Sequence, residues 1–180
     1  MKIAPLLLFT GLAIALSAEA TEFSNAELED NGAKLTLFQS DGSSFLAPML
    51  TGQDSFDVPL VSSNHQYAGW LALYPDQGAS YSQPVHVVVF DTSKRIYRFS
   101  GDFGLVFGWC FTKGSDAVVY RFTFPHGATS VGFEMRRIKD GKLLRRFLLD
   151  PTSQNEDEQR VVRAKAPIWT RCAQDGAAAQ

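Results

Sequence analysis

The hydrophobic positions of this chain alternate with polar ones or run on over short stretches, and they seldom recur at helical spacing. Val, Phe, Tyr and Leu dominate these stretches, and Gly, Pro, Asp and Ser separate them, as is typical of strands. The pattern predicts an all-β fold, mainly antiparallel, with little helix after the first residues. Strands are expected at Lys34–Gln39, Gly69–Tyr74, Val85–Asp91, Arg95–Ser100, Val106–Thr112, Ala117–Phe124, Val131–Ile138 and Leu143–Leu149.

Short polar segments between these strands predict hairpin turns at Thr92–Lys94, Lys113–Asp116 and Lys139–Lys142. The last contains an Asp-Gly pair, which suits a type I′ turn. Asp91 and Asp140 end or follow strands, so their carboxylates are expected to form turn hydrogen bonds and not to act as general acids.

The N-terminus has the layout of a cleavable secretory signal over residues 1–20. Lys2 precedes an apolar run from Leu6 to Leu16, and a small-residue site precedes Thr21. This run is shorter than the roughly 20 residues of a membrane-spanning helix. We therefore expect a secreted or periplasmic protein with no membrane span, for which nucleic acid is a disfavoured partner.

The remaining chain is long enough to bury one core. Residues 21–64 contain one clear strand and are then broken by Gly and Pro, which predicts a strand followed by an irregular cover. Residues 65–173 form the predicted β-rich core, and residues 174–180 are small and polar, as expected of a frayed tail.

Within the core, residues 68–99 and 107–147 form a degenerate repeat. Each copy passes from Gly-Trp (Gly69-Trp70, Gly108-Trp109) through an apolar strand to another strand, a turn with an acid and Lys, and a strand that ends in Phe. This order of strands and turns resembles that of β-propeller blades. The chain as a whole resembles an exported bacterial protein. The resemblance implies two blade-like antiparallel sheets.

Two blades cannot close a propeller, which needs about four. The alternatives are a small β-sandwich, one strongly bent sheet, or a partial propeller completed by another chain. The sandwich is favoured because it leaves the fewest open sheet edges. Trp70 and Trp109 are expected in the core, with stacking on a sugar as the alternative.

The two cysteines, Cys110 and Cys172, predict one disulfide, since an even count in an exported chain favours pairing. This bond would hold the C-terminal segment against the core. A reactive thiol is disfavoured, because Cys110 lies in an apolar string where burial raises a thiol pKa.

The formal net charge is only −2 at pH 7, but the charges are sorted along the chain. Residues 21–60 are acidic, with Lys34 as their one base, whereas residues 94–147 are strongly basic. The favoured interpretation is that the acidic segment packs over the basic one, since net charge does not dictate a fold. The alternative is an anionic partner.

Candidate catalytic chemistry is sparse. The sequence contains no G-x-S-x-G elbow and no histidine spacing that indicates a metal site, so neither a metal nor a cofactor is predicted. His65 has no recognisable catalytic setting, since the nearest serines, Ser62 and Ser63, lie in an ordinary loop. His86, in a Val-rich strand, is interpreted as structural. His126 lies beside a glycine at a predicted turn, where it either fixes the turn or faces a ligand.

The predicted hairpin 131–149 concentrates arginines: Arg136, Arg137, Arg145 and Arg146. Strand parity places Glu134 and Arg136 on one face and Phe133 and Met135 on the other, while Arg145 shares a face with Phe147. Pairing of the two strands would gather the cations near one end of the hairpin. They would hold an anionic ligand or keep an edge strand soluble and unpaired.

Three functions follow as hypotheses. The leading one is a secreted or periplasmic, non-enzymatic binding protein whose partner is another protein or an anionic glycan. Its candidate contact residues are His126, Arg136, Arg137, Arg145 and Arg146. The alternatives are a small exported hydrolase with His126 as base, and a structural component of an envelope assembly that forms oligomers.

Overall fold

The computed structural model describes residues 21–75, 81–124, 130–149 and 164–174. The predicted signal (1–20), His126 and nearly all of the predicted tail lie outside these ranges. The strands are β1 (Phe23–Glu29), β2 (Lys34–Gln39), β3 (Ser44–Leu46), β4 (Ser55–Val61), β5 (Tyr67–Tyr74), β6 (Gln83–Asp91), β7 (Ile96–Phe99), β8 (Leu105–Phe111), β9 (Ala117–Thr123), β10 (Val131–Arg137) and β11 (Leu143–Leu149). Two short 3₁₀ helices occupy Asp30–Gly32 and Ile168–Ala173.

These strands form three antiparallel sheets, in the orders β1-β2-β3, β4-β5-β6-β7 and β8-β9-β10-β11. They are called the first, second and third sheets. The prediction of an all-β, mainly antiparallel fold with little helix is confirmed. Among the described residues, no helix is long and apolar enough to cross a membrane.

The expectation of an irregular cover after one N-terminal strand is wrong. Residues 21–64 form four strands, of which only β2 was predicted. β4 is missed because Pro59 lies within it and argues against a strand, although Ser55 to Val58 alternate between polar and apolar residues. The strand is irregular at this point: Val58 has a φ of 45°, and the register with β5 shifts between Asp57 and Leu60. Pro59 is tolerated there because β4 is an edge strand.

The second sheet is buried on both faces. Val88 and Trp70 belong to a core shared with the first sheet, whereas Val87 and Val89 belong to a core shared with the third. This split follows from the alternation of side chains along a strand. The three sheets therefore pack as successive layers.

Both glycine–tryptophan pairs lie in these layers, and both indoles are fully buried, as predicted. A Cβ atom on Gly69 would lie 2.5 Å from the Trp109 ring, so only glycine permits this approach. The Trp109 indole nitrogen donates a hydrogen bond of 3.0 Å to the Val58 carbonyl. The indole is thus satisfied within the core.

The predicted turn hydrogen bonds are confirmed. Asp91 Oδ1 accepts from the Arg95 amide at 2.9 Å, and Asp140 Oδ1 accepts from the Lys142 amide at 3.1 Å. Gly141 has a φ of 68°, the left-handed conformation that glycine adopts without strain.

The predicted disulfide is also confirmed, with the Cα atoms of Cys110 and Cys172 5.8 Å apart. It fastens the second 3₁₀ helix (Ile168–Ala173), hereafter the C-terminal helix, to β8. A Cβ atom on Gly108 would lie 2.4 Å from the Ala173 carbonyl oxygen, so this glycine allows the close approach. The C-terminal helix covers part of the third sheet.

The expected packing of the acidic segment over the basic one is observed in part, through apolar contacts: Val58 and Leu60 of β4 pack against the core that contains Trp109. The first sheet packs against the second through an apolar core that includes Phe23, Leu35 and Leu37. In the described part of the chain, no ion pair joins residues 21–60 to residues 94–147. The basic segment pairs instead with acids within it or next to it.

Candidate functional site

The four candidate arginines lie on two opposite faces of the third sheet. Its inner face packs against the second sheet, and its outer face carries the C-terminal helix. Glu134 lies opposite Arg146, and Met135 lies opposite Arg145. Arg136 and Arg146 therefore belong with Glu134 to the inner face, while Arg137 and Arg145 belong to the outer face.

On the inner face, Glu134 has no exposed surface and gathers its donors from three strands. Its Oε2 atom accepts from Tyr120 Oη and Arg136 Nε, each at 2.6 Å, and its Oε1 atom accepts from Arg146 Nε at 2.9 Å. Arg146 also pairs with Asp102 at 2.6 Å. We call Glu134, Tyr120, Arg136 and Arg146 the Glu134 cluster; Glu134 and Asp102 together balance its two arginines.

The cluster shifts the pKa values of its two weak acids, Glu134 and Tyr120. Burial favours a neutral Glu134, but the hydrogen bonds from Arg136, Tyr120 and Arg146 outweigh burial and hold the pKa of Glu134 below its usual range. Burial, together with the hydrogen bond to Glu134, raises the pKa of Tyr120. At neutral pH the cluster therefore holds an ionised carboxylate and a neutral phenol.

Among the described residues, the two candidate arginines of the outer face form fewer ion pairs than those of the Glu134 cluster. Arg137 lies 3.3 Å from Asp140 in a local ion pair, but Arg145 is exposed and forms no ion pair within the described ranges. Arg145 sits opposite Met135, an apolar residue of the outer face. Of the four candidate arginines, Arg145 is thus the one best placed to meet a partner.

A cavity of about 630 Å³ lies on this outer face and is called the outer cavity. Val119 and Met135 line it from the outer face of the sheet, and Ile168 and Trp169 line it from the C-terminal helix. Ile168 is 74% exposed, an unusual position for a large apolar side chain. The outer cavity is therefore mainly apolar and open to solvent.

Two exposed cations, Lys113 and Arg171, also line the outer cavity. Neither pairs with a carboxylate in the residues that the structure covers, and no Asp or Glu is among the lining residues. The lining hydroxyl of Ser63 is already bonded, 2.9 Å from Ser115 Oγ. The cavity thus combines an apolar wall with an unbalanced positive charge.

Sequence reasoning did not single out Lys113, Trp169 or Arg171. A usable signal existed, because the predicted Cys110–Cys172 bond brings the neighbours of both cysteines together. Lys113 follows the first cysteine by three positions, and Trp169 and Arg171 precede the second by three positions and one position.

The two described histidines have structural surroundings. His65 Nδ1 lies 2.8 Å from the Phe23 carbonyl oxygen and so links β1 to the β4–β5 turn. His86 lies on β6 with its ring edge-on to Tyr74, and burial, with a smaller effect of Arg98, lowers its pKa. Over the described ranges, no group of three or more His, Cys, Asp or Glu side chains is placed to hold a metal ion.

Comparison with known proteins adds little. No family model matches the chain, and no curated protein matches it. Among solved structures, it is similar to an acylaminoacyl peptidase from Pyrococcus horikoshii, with 9% identity and a TM-score of 0.44. The similarity covers 73% of this chain and 25% of the peptidase, so the chain spans about a quarter of that structure's length.

Proposed function

We propose that this chain is an exported, non-enzymatic binding protein whose contact surface is the outer face of the third sheet. The observation that carries the proposal is the outer cavity, where an apolar wall meets Lys113 and Arg171, two exposed cations with no carboxylate partner among the described residues. Ligand sites are typically concave and mostly apolar, with a few polar groups that fix orientation.

Export is supported by the predicted signal at residues 1–20 and by the Cys110–Cys172 disulfide. Disulfides persist in oxidising compartments such as the periplasm and the extracellular space, and they are rare in the cytosol.

We further propose that the sheets are blade-like units in an open stack. The second and third sheets each consist of four antiparallel strands in chain order. At the far end of the stack, the first sheet turns the exposed side chains of Asn25, Glu27 and Glu29 away from the core. Polar end faces are typical of terminal repeats in stacked proteins. This arrangement leaves the third sheet's outer face as the binding end.

The partner is anionic. Arg145 adds a third exposed cation, with no ion pair in the described ranges, to the face that carries Lys113 and Arg171. Arg136 and Arg146 are not contact residues in this proposal, because the buried carboxylate of Glu134 holds them. The positive surface is thus smaller than the full set of hairpin arginines.

The test is a thermal-shift titration of the full chain, purified oxidised, with polyglutamate, dextran sulfate and dodecanoate as probes. A probe that binds only the native state raises the unfolding midpoint, by about 2.7 kcal/mol of stabilisation at a hundred times its Kd. We expect at least one probe to do so, and the shift to disappear in Lys113→Gln/Arg145→Gln/Arg171→Gln.

The matched control is Lys94→Gln/Lys139→Gln/Lys142→Gln, which removes three exposed cations from two turns away from the outer cavity. It should retain the shift. The proposal is overturned if no probe shifts the midpoint, or if both triple variants respond like the parent protein.

A further inference from the structure

We infer that the outer cavity binds a small amphipathic carboxylate, a free fatty acid, with its alkyl chain inside the cavity and its carboxylate between Lys113 and Arg171. This inference rests on the proposed function and names the ligand of the same site.

The apolar side chains that line the cavity indicate the alkyl chain of the ligand. Val119 is a buried apolar side chain on the outer face of the sheet, and Trp169 lines the cavity from the C-terminal helix. Met135 adds an unbranched, adaptable side chain suited to a flexible ligand. The volume of about 630 Å³ lies within the range of small-molecule sites. An alkyl chain would find an apolar surface on both sides.

The positive charges of Lys113 and Arg171 indicate that the head group of the ligand is a carboxylate. Lys113 and Arg171 are exposed cations with no carboxylate partner in the described ranges, and no acid lines the cavity. An arginine guanidinium forms paired hydrogen bonds with a carboxylate, and a lysine adds a compact positive charge. The same charges repel a cationic amphiphile, so the cavity discriminates between head groups by sign.

The exposed position of Ile168 completes the argument. A side chain that is 74% exposed gains burial when an alkyl chain lies against it. The disulfide at Cys172 holds the C-terminal helix in place, so the cavity exists before the ligand arrives. A preformed cavity lowers the ordering cost of binding.

The fluorescence of Trp169 can report binding in the outer cavity. It lines the outer cavity, whereas Trp70 and Trp109 are fully buried in the layers between the sheets. Titration with bromododecanoate below its micelle concentration should quench the Trp169 component of the fluorescence. In Trp169→Phe, dodecanoate should still raise the unfolding midpoint, while the bromine-specific quenching disappears.

Head-group specificity is tested with dodecanoate, dodecanol and dodecyltrimethylammonium. In Lys113→Gln/Arg171→Gln, the Kd for dodecanoate should rise about tenfold or more, as expected from the loss of charge-assisted hydrogen bonds. The Kd for dodecanol should change less than about twofold, because it depends on apolar burial alone. The control variant Lys139→Gln/Lys142→Gln should bind dodecanoate like the parent protein.

The outcomes separate this inference from the proposed function. If dodecanoate neither quenches Trp169 nor raises the midpoint, but polyglutamate or dextran sulfate does, the fatty-acid assignment is wrong and the binding face stands. If no probe binds, both fail. Equal affinity for dodecanoate and dodecyltrimethylammonium also overturns the assignment, since the cations would then play no part.

Discussion

The inner and outer faces of the third sheet use cations in opposite ways. On the inner face, Arg136 and Arg146 surround a carboxylate with no exposed surface, and every charge has a partner. On the outer face, Lys113 and Arg171 border an apolar cavity that no described Asp or Glu lines. Cations of the same kind therefore stabilise the fold where a buried acid meets them and are available to a ligand where none does.

This contrast changes how the hairpin arginines are understood. A buried ion pair is costly to break, because the remaining charge stays in a low-dielectric environment. An exposed cation costs little to remove. Stability and binding should thus respond to different residues of one sheet, and the following predictions test that separation from the largest effect to the smallest.

Removal of the disulfide should have the largest effect on stability. Cys110→Ala/Cys172→Ala opens a loop with a sequence separation of 62 residues, which in the chain-entropy model lowers the free energy of unfolding by about 4 kcal/mol. Urea unfolding of the variant and the parent measures this difference, and reduction of the parent with dithiothreitol should reproduce it. A loss below about 1 kcal/mol would show that the C-terminal helix holds to the outer face without the bond.

Glu134→Gln should lower the free energy of unfolding by about 3 kcal/mol, because Arg136 and Arg146 lose their shared carboxylate and the new amide nitrogen meets donors. Urea unfolding provides the measurement. The matched change Asp140→Asn affects a half-exposed pair with Arg137 and should cost less than about 1 kcal/mol. If the two variants are equally stable, the Glu134 cluster does not contribute as described.

The pH dependence should follow the lowered pKa of Glu134. A group whose pKa is lower in the folded state adds stability above its unfolded pKa of about 4.3, and that stability is lost as the pH falls through the folded value. The stability difference between the parent protein and Glu134→Gln should therefore be constant from neutral pH to about pH 5 and then shrink towards pH 2. A difference that grows on acidification contradicts a charged Glu134.

The raised pKa of Tyr120 acts at the other end of the scale. Its phenol is held neutral in the folded state, so the stability that it adds is present below its unfolded pKa of about 10 and lost as the pH rises beyond it. Tyr120→Phe should flatten the alkaline decline in the unfolding midpoint. An unchanged alkaline decline would assign it to other groups.

Much of the fold is readable from local pattern. β6 contains the apolar run 87–90 and β9 the apolar run 117–120, and the Asp140-Gly141 pair predicts the turn between β10 and β11. β4 is not readable, because Pro59 within it argues against a strand, and only the tertiary arrangement shows that β4 lies at a sheet edge where proline is tolerated.

The candidate site was only partly predictable. The alternation of side chains along the strand correctly separates Glu134 and Arg136 from Met135. It does not indicate that Glu134 is fully buried or that it accepts a hydrogen bond from Arg146. Burial depends on which sheet packs against the face, and that is a property of the tertiary arrangement. The outer cavity combines β8, β9, β10 and the C-terminal helix, so only the predicted disulfide hinted at it.

The most direct test of the central claim compares two charge-matched double variants, Arg136→Gln/Arg146→Gln on the inner face and Lys113→Gln/Arg171→Gln on the outer face. Each is measured by urea unfolding with and without dodecanoate. We expect the inner variant to lose about 3 kcal/mol or more because Glu134 is left without a cation, and to retain the stabilisation by dodecanoate while folded. The outer variant should unfold within about 0.5 kcal/mol of the parent protein and lose that stabilisation. An outer variant that is strongly destabilised, or that dodecanoate stabilises as much as the parent, would contradict the separation of the two faces.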